Sequence, residues 1–253
     1  CQWATFVRNH DELTLDKLSG SERAEAFAAF GPDKEMQLYD RGLRRRLPPM
    51  VKGDQRRIRL AYSLLFSLPG TPTLFYGEEI GMGENLAVPG RLSVRTPMQW
   101  ADERNAGFST AIPSRLPRPV VDGRFGPMAV NVTDQRRDPE SLLNWMERLI
   151  RRRRECPEFG WGTVSVLDIA DSSVLAHQCE WDGSRVFAVH NLSPEPREVK
   201  LAIDGAAAGD RLVNLLARTE AVLDLDGPAV DLKVEGYGYR WYRLQARGTT
   251  TTP

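Results

Sequence analysis

Residues 54–82, DQRRIRLAYSLLFSLPGTPTLFYGEEIGM, contain a helix, a turn and a buried strand in direct succession. Asp54 can cap the helix, and the apolar residues of 58–68 recur at helical spacing. Pro69-Gly70 ends the helix, and PTLFY at 72–76 has the continuous apolar character of a buried strand. A polar, glycine-rich segment follows that strand.

A second strand-like run lies near the N-terminus. Residues 3–7 (WATFV) have the composition of a buried strand, and the polar cluster from Arg8 to Glu12 follows them. A strand, helices and another strand in this order favour a parallel α/β arrangement. In β/α barrels the catalytic residues collect beyond the carboxyl ends of the strands, and both polar clusters lie at such positions.

Two further helices are expected between these strands. Ser19 and Glu22 have capping-box spacing, which predicts a helix that continues through Phe30. Residues 34–47 predict a second helix, stopped by Pro48-Pro49.

The rest of the chain divides into three segments that differ in composition and periodicity. Residues 83–138 are rich in Pro and Gly and have little periodicity, which predicts a long functional loop. A helix begins at Asp138-Pro139 and ends with arginines at 151–154, which suit its C-terminal dipole. After Pro157, short β-type runs separated by turns such as WDGSR predict an antiparallel β-sandwich.

Composition excludes several classes of function. The 253 residues include 34 basic and 34 acidic side chains, so net charge does not favour nucleic acid or an anionic membrane as partner. No apolar run is long enough to span a membrane, and no signal peptide precedes the first strand. Three cysteines without CxxC spacing indicate a reducing, cytoplasmic compartment, and no metal-ligand spacing occurs. The absence of an initiator Met suggests a fragment.

The dipeptide His10-Asp11 is the strongest candidate for residues that take part in catalysis or substrate binding. A carboxylate and an imidazole at the end of a strand can bind adjacent sugar hydroxyls, although a capping Asp beside a surface His is the commoner explanation of such a dipeptide. Glu78-Glu79 is not interpreted as an acid/base pair, because adjacent side chains of an extended chain point in opposite directions. One carboxylate is expected to be structural and the other to bind a backbone group or a neighbouring Arg. The basic run from Arg41 to Arg59 is interpreted as a solvated helix surface rather than a phosphate-binding face.

Several segments resemble the α-amylase superfamily of glycoside hydrolases. FVRNHDE at 6–12 is similar to its fourth conserved motif, and GTPTLFYGEEIGM at 70–82 is similar to the segment entering its eighth barrel strand. VRTPMQW at 94–100, followed by RNAGFS at 104–109, is typical of its α-glucosidase and trehalose synthase branches. RNHDELTL, GLRRRLPPM, SLLFSLPGTP and AVNV resemble the trehalose synthase (maltose α-D-glucosyltransferase) branch most.

The resemblance implies an α/β fold, the C-terminal part of a (β/α)8 TIM barrel followed by an antiparallel β-sandwich. Residues 3–8 would form strand seven and residues 72–76 strand eight, while strands one to six would lie outside this chain. The expected domains are 1–156 for the barrel part, with its long loop at 83–138, then 157–247 for the sandwich and 248–253 as a frayed tail.

The same resemblance implies roles for three residues. Asp11 matches the carboxylate that stabilises the transition state, His10 its hydroxyl-binding partner, and Arg95 an arginine near the closed, non-reducing end of the pocket. The implied reaction is a retaining glucosyl transfer that interconverts maltose and trehalose. Its nucleophile and acid would lie on the absent strands four and five, so the chain alone is expected to be inactive.

The same resemblance also implies binding partners and leaves alternative functions open. The expected partners are maltose, trehalose, glucose and the missing N-terminal half of the barrel; no cofactor is expected in this chain, with calcium possible in a full-length parent. Gly90-Arg91-Leu92-Ser93 departs from the Asp-Arg-Asn-Gly of the synthase branch, which removes a carboxylate and an amide near the pocket. An α-glucosidase or α-amylase hydrolase and a non-catalytic carbohydrate-binding or interaction remnant stay open as alternatives.

Overall fold

The structure is a computed structural model that describes residues 3–217 and 221–248. Cys1 and residues 249–253, from the tail predicted to be frayed, lie outside the described residues. The described chain forms two compact units. The first contains the residues up to Thr5, Leu60–Pro72 and the chain from Arg148 onward, and the second contains Phe6–Arg59 and Thr73–Glu147. The domain boundary predicted near residue 157 stays a prediction.

The first part of the chain contains helices interspersed with short strands, and the last part contains strands only. The helices are α1 (Gly20–Phe30), α2 (Leu47–Met50), α3 (Gln55–Ser67), α4 (Val132–Arg137), α5 (Leu142–Arg154) and α6 (Pro157–Trp161). The strands are β1 (Ala4–Thr5), β2 (Leu13–Thr14), β3 (Gln37–Leu38), β4 (Gly42–Leu43), β5 (Thr71–Pro72), β6 (Thr163–Leu167), β7 (Val174–Trp181), β8 (Ser184–Asn191), β9 (Arg197–Ala202), β10 (Arg211–Asn214), β11 (Val222–Asp224), β12 (Ala229–Val234) and β13 (Tyr239–Gln245).

In the first unit, β1 and β5 pair in parallel, as the order of elements predicts. Gly70 permits this pairing: its φ is +103°, and a Cβ there would lie 2.7 Å from the carbonyl oxygen of Trp3. The predicted buried strand at 3–7 is wrong in length and burial, since only two residues pair and Trp3 is 76% exposed. The buried strand predicted at 72–76 is also wrong in length and burial, since β5 is only Thr71–Pro72 and Tyr76 is 39% exposed. A parallel strand is buried only when strands and helices cover it fully, and among the described residues β1 pairs with β5 alone.

The first unit also contains the predicted antiparallel sandwich. One sheet has the strand order β11-β10-β13-β8-β7-β6, and β12 pairs with β9 in the other. Strand β9 alternates buried and exposed residues, as a strand with one face on a core does. Residues of both sheets share one core, including Phe187, Val189, Leu201 and Val234, all fully buried.

Buried polar contacts join the Leu60–Ser67 part of α3 to this sheet. Trp241 donates its indole N–H to Ser63 Oγ at 3.1 Å, and Ser63 Oγ lies 3.1 Å from His190 Nε2. His177 Nε2 lies 2.9 Å from the carbonyl oxygen of Ser67. The two imidazole rings stack almost parallel with centroids 6.0 Å apart, so the unit carries a buried histidine pair.

The second unit confirms one predicted helix and corrects another. Ser19 and Glu22 form the predicted capping box at the start of α1. The helix predicted over 34–47 is wrong, because β3 and β4 form an antiparallel hairpin there. Tyr39 and Asp40, between those strands, have φ values of 56° and 51°, and left-handed backbone at both positions breaks a helix and makes a tight hairpin turn.

The segment predicted as a long loop, 83–138, is irregular but packed. It contains short 3-10 turns, including Gly90–Val94, and ends in α4, whose N-terminus is capped by the Asn131 side chain. Met98, Val121 and Val132 from this segment are buried with Ile80 in one apolar cluster. The segment is therefore a folded part of the second unit.

The two long helices have the predicted buried faces. Ile58, Tyr62 and Leu65 of α3 are buried, and Asp54 accepts a hydrogen bond from the backbone N–H of Arg56 at the start of that helix. Helix α5 begins three residues later than Pro139 and buries the predicted stripe that includes Met146. Within residues 3–217 and 221–248, no helix is long and apolar enough to cross a membrane.

Candidate active site

A buried arginine, Arg8, fixes the turn that carries His10 and Asp11. Arg8 is 2% exposed and donates from Nε to the carbonyl oxygen of Arg45 and from Nη2 to that of Asp11, each at 2.7 Å. Asn9 accepts the backbone N–H of Asp11 on its side-chain oxygen at 2.9 Å. Burial lowers the pKa of Arg8 to about 10, which still leaves the guanidinium charged at neutral pH. The backbone at Asp11 is thus fixed by side chains on both sides.

The structure brings together all three residues that the sequence singles out. Arg95 donates from Nη2 to Asp11 Oδ1 at 2.8 Å and from Nε to the carbonyl oxygen of His10 at 2.7 Å. His10 Nε2 lies 3.8 Å from Asp11 Oδ2. The side chains of His10 and Asp11 are 63% and 36% exposed, so both are open to a ligand. One carboxylate oxygen of Asp11 is held by an arginine and the other faces the imidazole.

A second carboxylate lies next to this group and is buried. The side chain of Glu12 is 3% exposed and forms a bidentate pair with Arg91, with Nε to Oε2 at 2.6 Å and Nη2 to Oε1 at 3.1 Å. Arg91 Nη1 also lies 3.5 Å from Asp11 Oδ1. Burial raises the pKa of Glu12, but its hydrogen bond to Arg91 and the charges of Arg91 and Arg41 outweigh burial and lower that pKa below its ordinary value.

Aromatic rings adjoin the histidine. The ring of Phe75 lies 6.4 Å from the His10 ring, and Tyr76 meets Phe75 edge-on at 4.5 Å between centroids. The guanidinium of Arg46 lies 4.7 Å from the Phe75 ring and 5.1 Å from that of Tyr76. Tyr76 donates its hydroxyl to the carbonyl oxygen of Thr96 at 2.6 Å, and burial raises the pKa of that phenol. The imidazole of His10 therefore has an aromatic ring as a neighbour, and the phenol of Tyr76 is held in place by its own hydrogen bond.

The basic run from Arg41 to Arg59 is not uniformly a solvated surface, which corrects the sequence-based interpretation. Arg44 and Arg46 are 8% and 1% exposed. Arg44 donates to the carbonyl oxygens of Val88 and Leu86, and Arg46 donates to that of Tyr76. Planar guanidinium groups can satisfy several buried carbonyls at once, and these two cross-link the loops around the site.

Glu78 has the structural role that the sequence predicts for one of the two adjacent carboxylates, Glu78 and Glu79. Glu78 is 2% exposed and accepts the backbone N–H of Phe75 at 2.8 Å, which closes the turn after the aromatic pair. Burial raises the pKa of Glu79. The described residues contain no cluster of three or more His, Cys, Asp or Glu side chains that could hold a metal ion.

Comparison with known proteins relates this chain to a family. The α-amylase catalytic-domain model matches residues 44–162, and the model of the sucrose hydrolase-like C-terminal domain matches residues 183–243. The trehalose synthase of Pimelobacter sp. is 38% identical over 263 aligned residues, which cover 100% of this chain and 44% of the relative. The chain belongs to the α-amylase family. Trehalose synthase/amylase TreS of Mycobacterium tuberculosis is 39% identical, with 100% of this chain and 42% of the relative covered.

The α-amylase family fold is also found by structural similarity. A mutant of the trehalulose synthase MutB of Pseudomonas mesoacidophila, solved in complex with glucose, has a TM-score of 0.62 at 21% identity; the match covers 96% of this chain and 43% of that chain. The prediction of a C-terminal part of a (β/α)8 barrel with an antiparallel sandwich is confirmed. The chain spans less than half the length of the curated relatives compared with it.

Several residues that build this candidate site were not singled out from the sequence. Arg8 and Glu12 flank His10-Asp11 in the same polar run, so their position was a usable signal. Arg91 lies in the segment that departs from the synthase pattern. Arg46 carried no local signal, because its burial results from loops that are 30 or more residues away in sequence.

Proposed function

We propose that this chain supplies one wall of the glucose-binding subsite of a retaining enzyme that transfers an α-glucosyl group and interconverts maltose and trehalose. The observation that carries the proposal is the arrangement at Asp11, where Arg95 binds Oδ1 and His10 stands beside Oδ2. The names of two relatives, each a trehalose synthase, and the glucose bound in a structural neighbour support the substrate class.

The chemistry assigned to this wall is transition-state binding. A carboxylate oxygen and an imidazole side by side can each bind one of two adjacent sugar hydroxyls. As the ring flattens towards an oxocarbenium ion, the hydroxyl beside the anomeric carbon becomes a better donor, so its bond to Asp11 strengthens. Arg95 holds the carboxylate by Oδ1 and leaves Oδ2 for this contact.

The remaining chemical groups would come from outside these 253 residues. In a retaining mechanism one carboxylate attacks the anomeric carbon, while a carboxylic acid protonates the leaving oxygen. We assign both groups to an upstream segment that completes the barrel, in the same polypeptide or as a separate partner. The chain alone is then expected to convert no maltose.

The test is product analysis on maltose. The purified 253-residue chain should yield neither trehalose nor glucose, and its co-expression with the upstream half of a trehalose synthase should yield trehalose. Asp11→Asn in the assembled protein should lower the rate of trehalose formation severely, to a small but measurable residual rate, while leaving assembly intact by size-exclusion chromatography. Trehalose made by the chain alone would contradict the assigned division of groups.

The same assay separates the rival functions. Glucose without trehalose would indicate a hydrolase of the α-glucosidase or α-amylase type. Maltose binding without turnover in the assembled protein, measured by calorimetry, would indicate a non-catalytic carbohydrate-binding module. Either result would replace the proposed reaction.

A further inference from the structure

We propose that Arg91 is a positioning residue for Asp11: it connects the buried Glu12 carboxylate to Asp11 Oδ1 and so keeps Oδ2 turned to the sugar beside His10. This inference rests on the proposed function and adds a residue to it. Arg91 acts through Asp11 and Glu12, and its role is to set the orientation of the carboxylate.

The orientation of the Arg91 guanidinium is determined by Glu12. Its Nε and Nη2 make the two bonds to Glu12, at 2.6 and 3.1 Å. A bidentate arginine–carboxylate pair is planar, so two bonds define the plane of the guanidinium and the direction of the third nitrogen. That third nitrogen, Nη1, is the one that lies 3.5 Å from Asp11 Oδ1.

Glu12 is a firm anchor for this pair. Its side chain is 3% exposed, so breaking the pair would leave a carboxylate in a poorly solvated place. A Cβ on Gly42 would lie 2.8 Å from Glu12 Cγ, which shows how closely the β4 backbone packs against the side chain. Arg91 also lies 5.6 Å from the ring of Tyr39, a cation–π distance that limits its movement on the other side.

Two arginines consequently bind the same oxygen of Asp11 from one short segment. Arg91 lies within the 3-10 turn Gly90–Val94, and Arg95 is its C-terminal cap, with its N–H bonded to the carbonyl oxygen of Leu92. The turn is anchored, since Ser93 and Val94 are buried and Ser93 donates its hydroxyl to the carbonyl oxygen of Arg44. Because both arginines contact Oδ1, rotation of the Asp11 carboxylate would have to break two ionic contacts.

Loss of Arg91 should therefore affect turnover more than substrate binding. Arg95 alone would still hold Oδ1, so ground-state contacts to the sugar are largely retained. The precise placement of Oδ2 matters most where its hydrogen bond is strongest, at the transition state, and small displacements at a reacting centre can cost up to about 100-fold in rate. We expect Arg91→Gln to lower kcat by about 10- to 100-fold, with KM changed by less than about threefold.

Arg41 offers a matched control. It also contacts Glu12, with Nη2 3.8 Å from Oε1, and lies 5.9 Å from the Tyr39 ring. Arg41→Gln removes one positive charge beside the same carboxylate and the same ring without touching the Arg91–Asp11 contact. We expect kcat of Arg41→Gln to stay within about twofold of the unmutated protein.

The decisive experiment is a double-mutant cycle on trehalose formation in the assembled protein. If Arg91 acts through Asp11, Arg91→Gln should have no further effect on kcat in an Asp11→Asn background, and Arg91→Lys should restore only part of the lost rate because Lys cannot form the bidentate pair. An additive effect of the two substitutions, or equal losses in Arg91→Gln and Arg41→Gln, would overturn the proposal.

A second measurement is independent of the reaction. Crystal structures of the 253-residue chain should show Asp11 rotated or in two conformers in Arg91→Gln, and unchanged in Arg41→Gln. An unaltered Asp11 in Arg91→Gln would overturn the positioning role even if the protein makes no trehalose. An assembled protein that makes no trehalose while Asp11 rotates in Arg91→Gln would instead refute the proposed function alone.

Discussion

Acidification should destabilise the first unit through the buried histidine His190. The ring is fully buried, and its Nε2 contacts Ser63 Oγ while its Nδ1 has no hydrogen-bond partner. The stacked ring of His177 lies 6.0 Å away. A proton added at either ring would therefore place charge in an apolar setting, next to a second titratable ring.

The size of the effect follows from linkage. Burial, followed by the charge of His177, lowers the pKa of His190 from 6.5 to about 3. The unfolded chain binds this proton below pH 6.5 and the folded chain does not until about pH 3, so the stabilisation is complete above pH 6.5 and is lost progressively as the pH falls towards 3. At about pH 5 the loss is about 2 kcal/mol from this residue. Burial also lowers the pKa of His177, which acts in the same direction.

Urea unfolding of the full chain, followed by tryptophan fluorescence, measures how the free energy of unfolding depends on pH. The Gln side chain of His190→Gln can hydrogen-bond to Ser63 but does not titrate. Between about pH 7.5 and pH 5, the free energy of unfolding of His190→Gln should therefore fall by about 2 kcal/mol less than that of the unmutated chain. Identical pH dependence in His190→Gln and the unmutated chain would refute the reasoning.

Three further outcomes are expected from local geometry. Gly70→Ala should lower the free energy of unfolding by roughly 1–3 kcal/mol, because φ is +103° and the new Cβ would meet the Trp3 carbonyl oxygen at 2.7 Å; unchanged stability would contradict that close approach. Ser19→Ala should cost about 1 kcal/mol by removing the α1 cap, measured by thermal unfolding against Ser19→Asp, which should retain most of the stability. Burial raises the pKa of Cys156 to about 12 and of Cys179 to about 11, so both thiols are protonated near pH 8. Iodoacetamide should therefore label neither cysteine in the native chain near pH 8 and both in urea, as measured by peptide mass spectrometry.

Elements whose signals are local could be predicted from the sequence. The α1 capping box needs only Ser19 and Glu22, three residues apart, and α3 needs only its apolar spacing and the Pro69-Gly70 stop. The hairpin at 37–43 is not predicted because its turn requires left-handed backbone at Tyr39 as well as at Asp40, and a Tyr is not a residue type that favours this conformation. There, contacts with β2 outweighed the helical propensity of the flanking residues.

The sequence by itself determined the kinds of groups at the site and their order along the chain: an imidazole and a carboxylate after one strand, and an arginine in the loop after the next. Only the tertiary structure decided which oxygen each group holds. Arg91 and Glu12 are 79 residues apart in sequence, and Arg95 and Asp11 are 84 apart. The Arg91–Glu12 pair forms because a buried carboxylate must be neutralised by whichever cation the fold brings near. Both pairings depend on loop packing rather than on any local pattern.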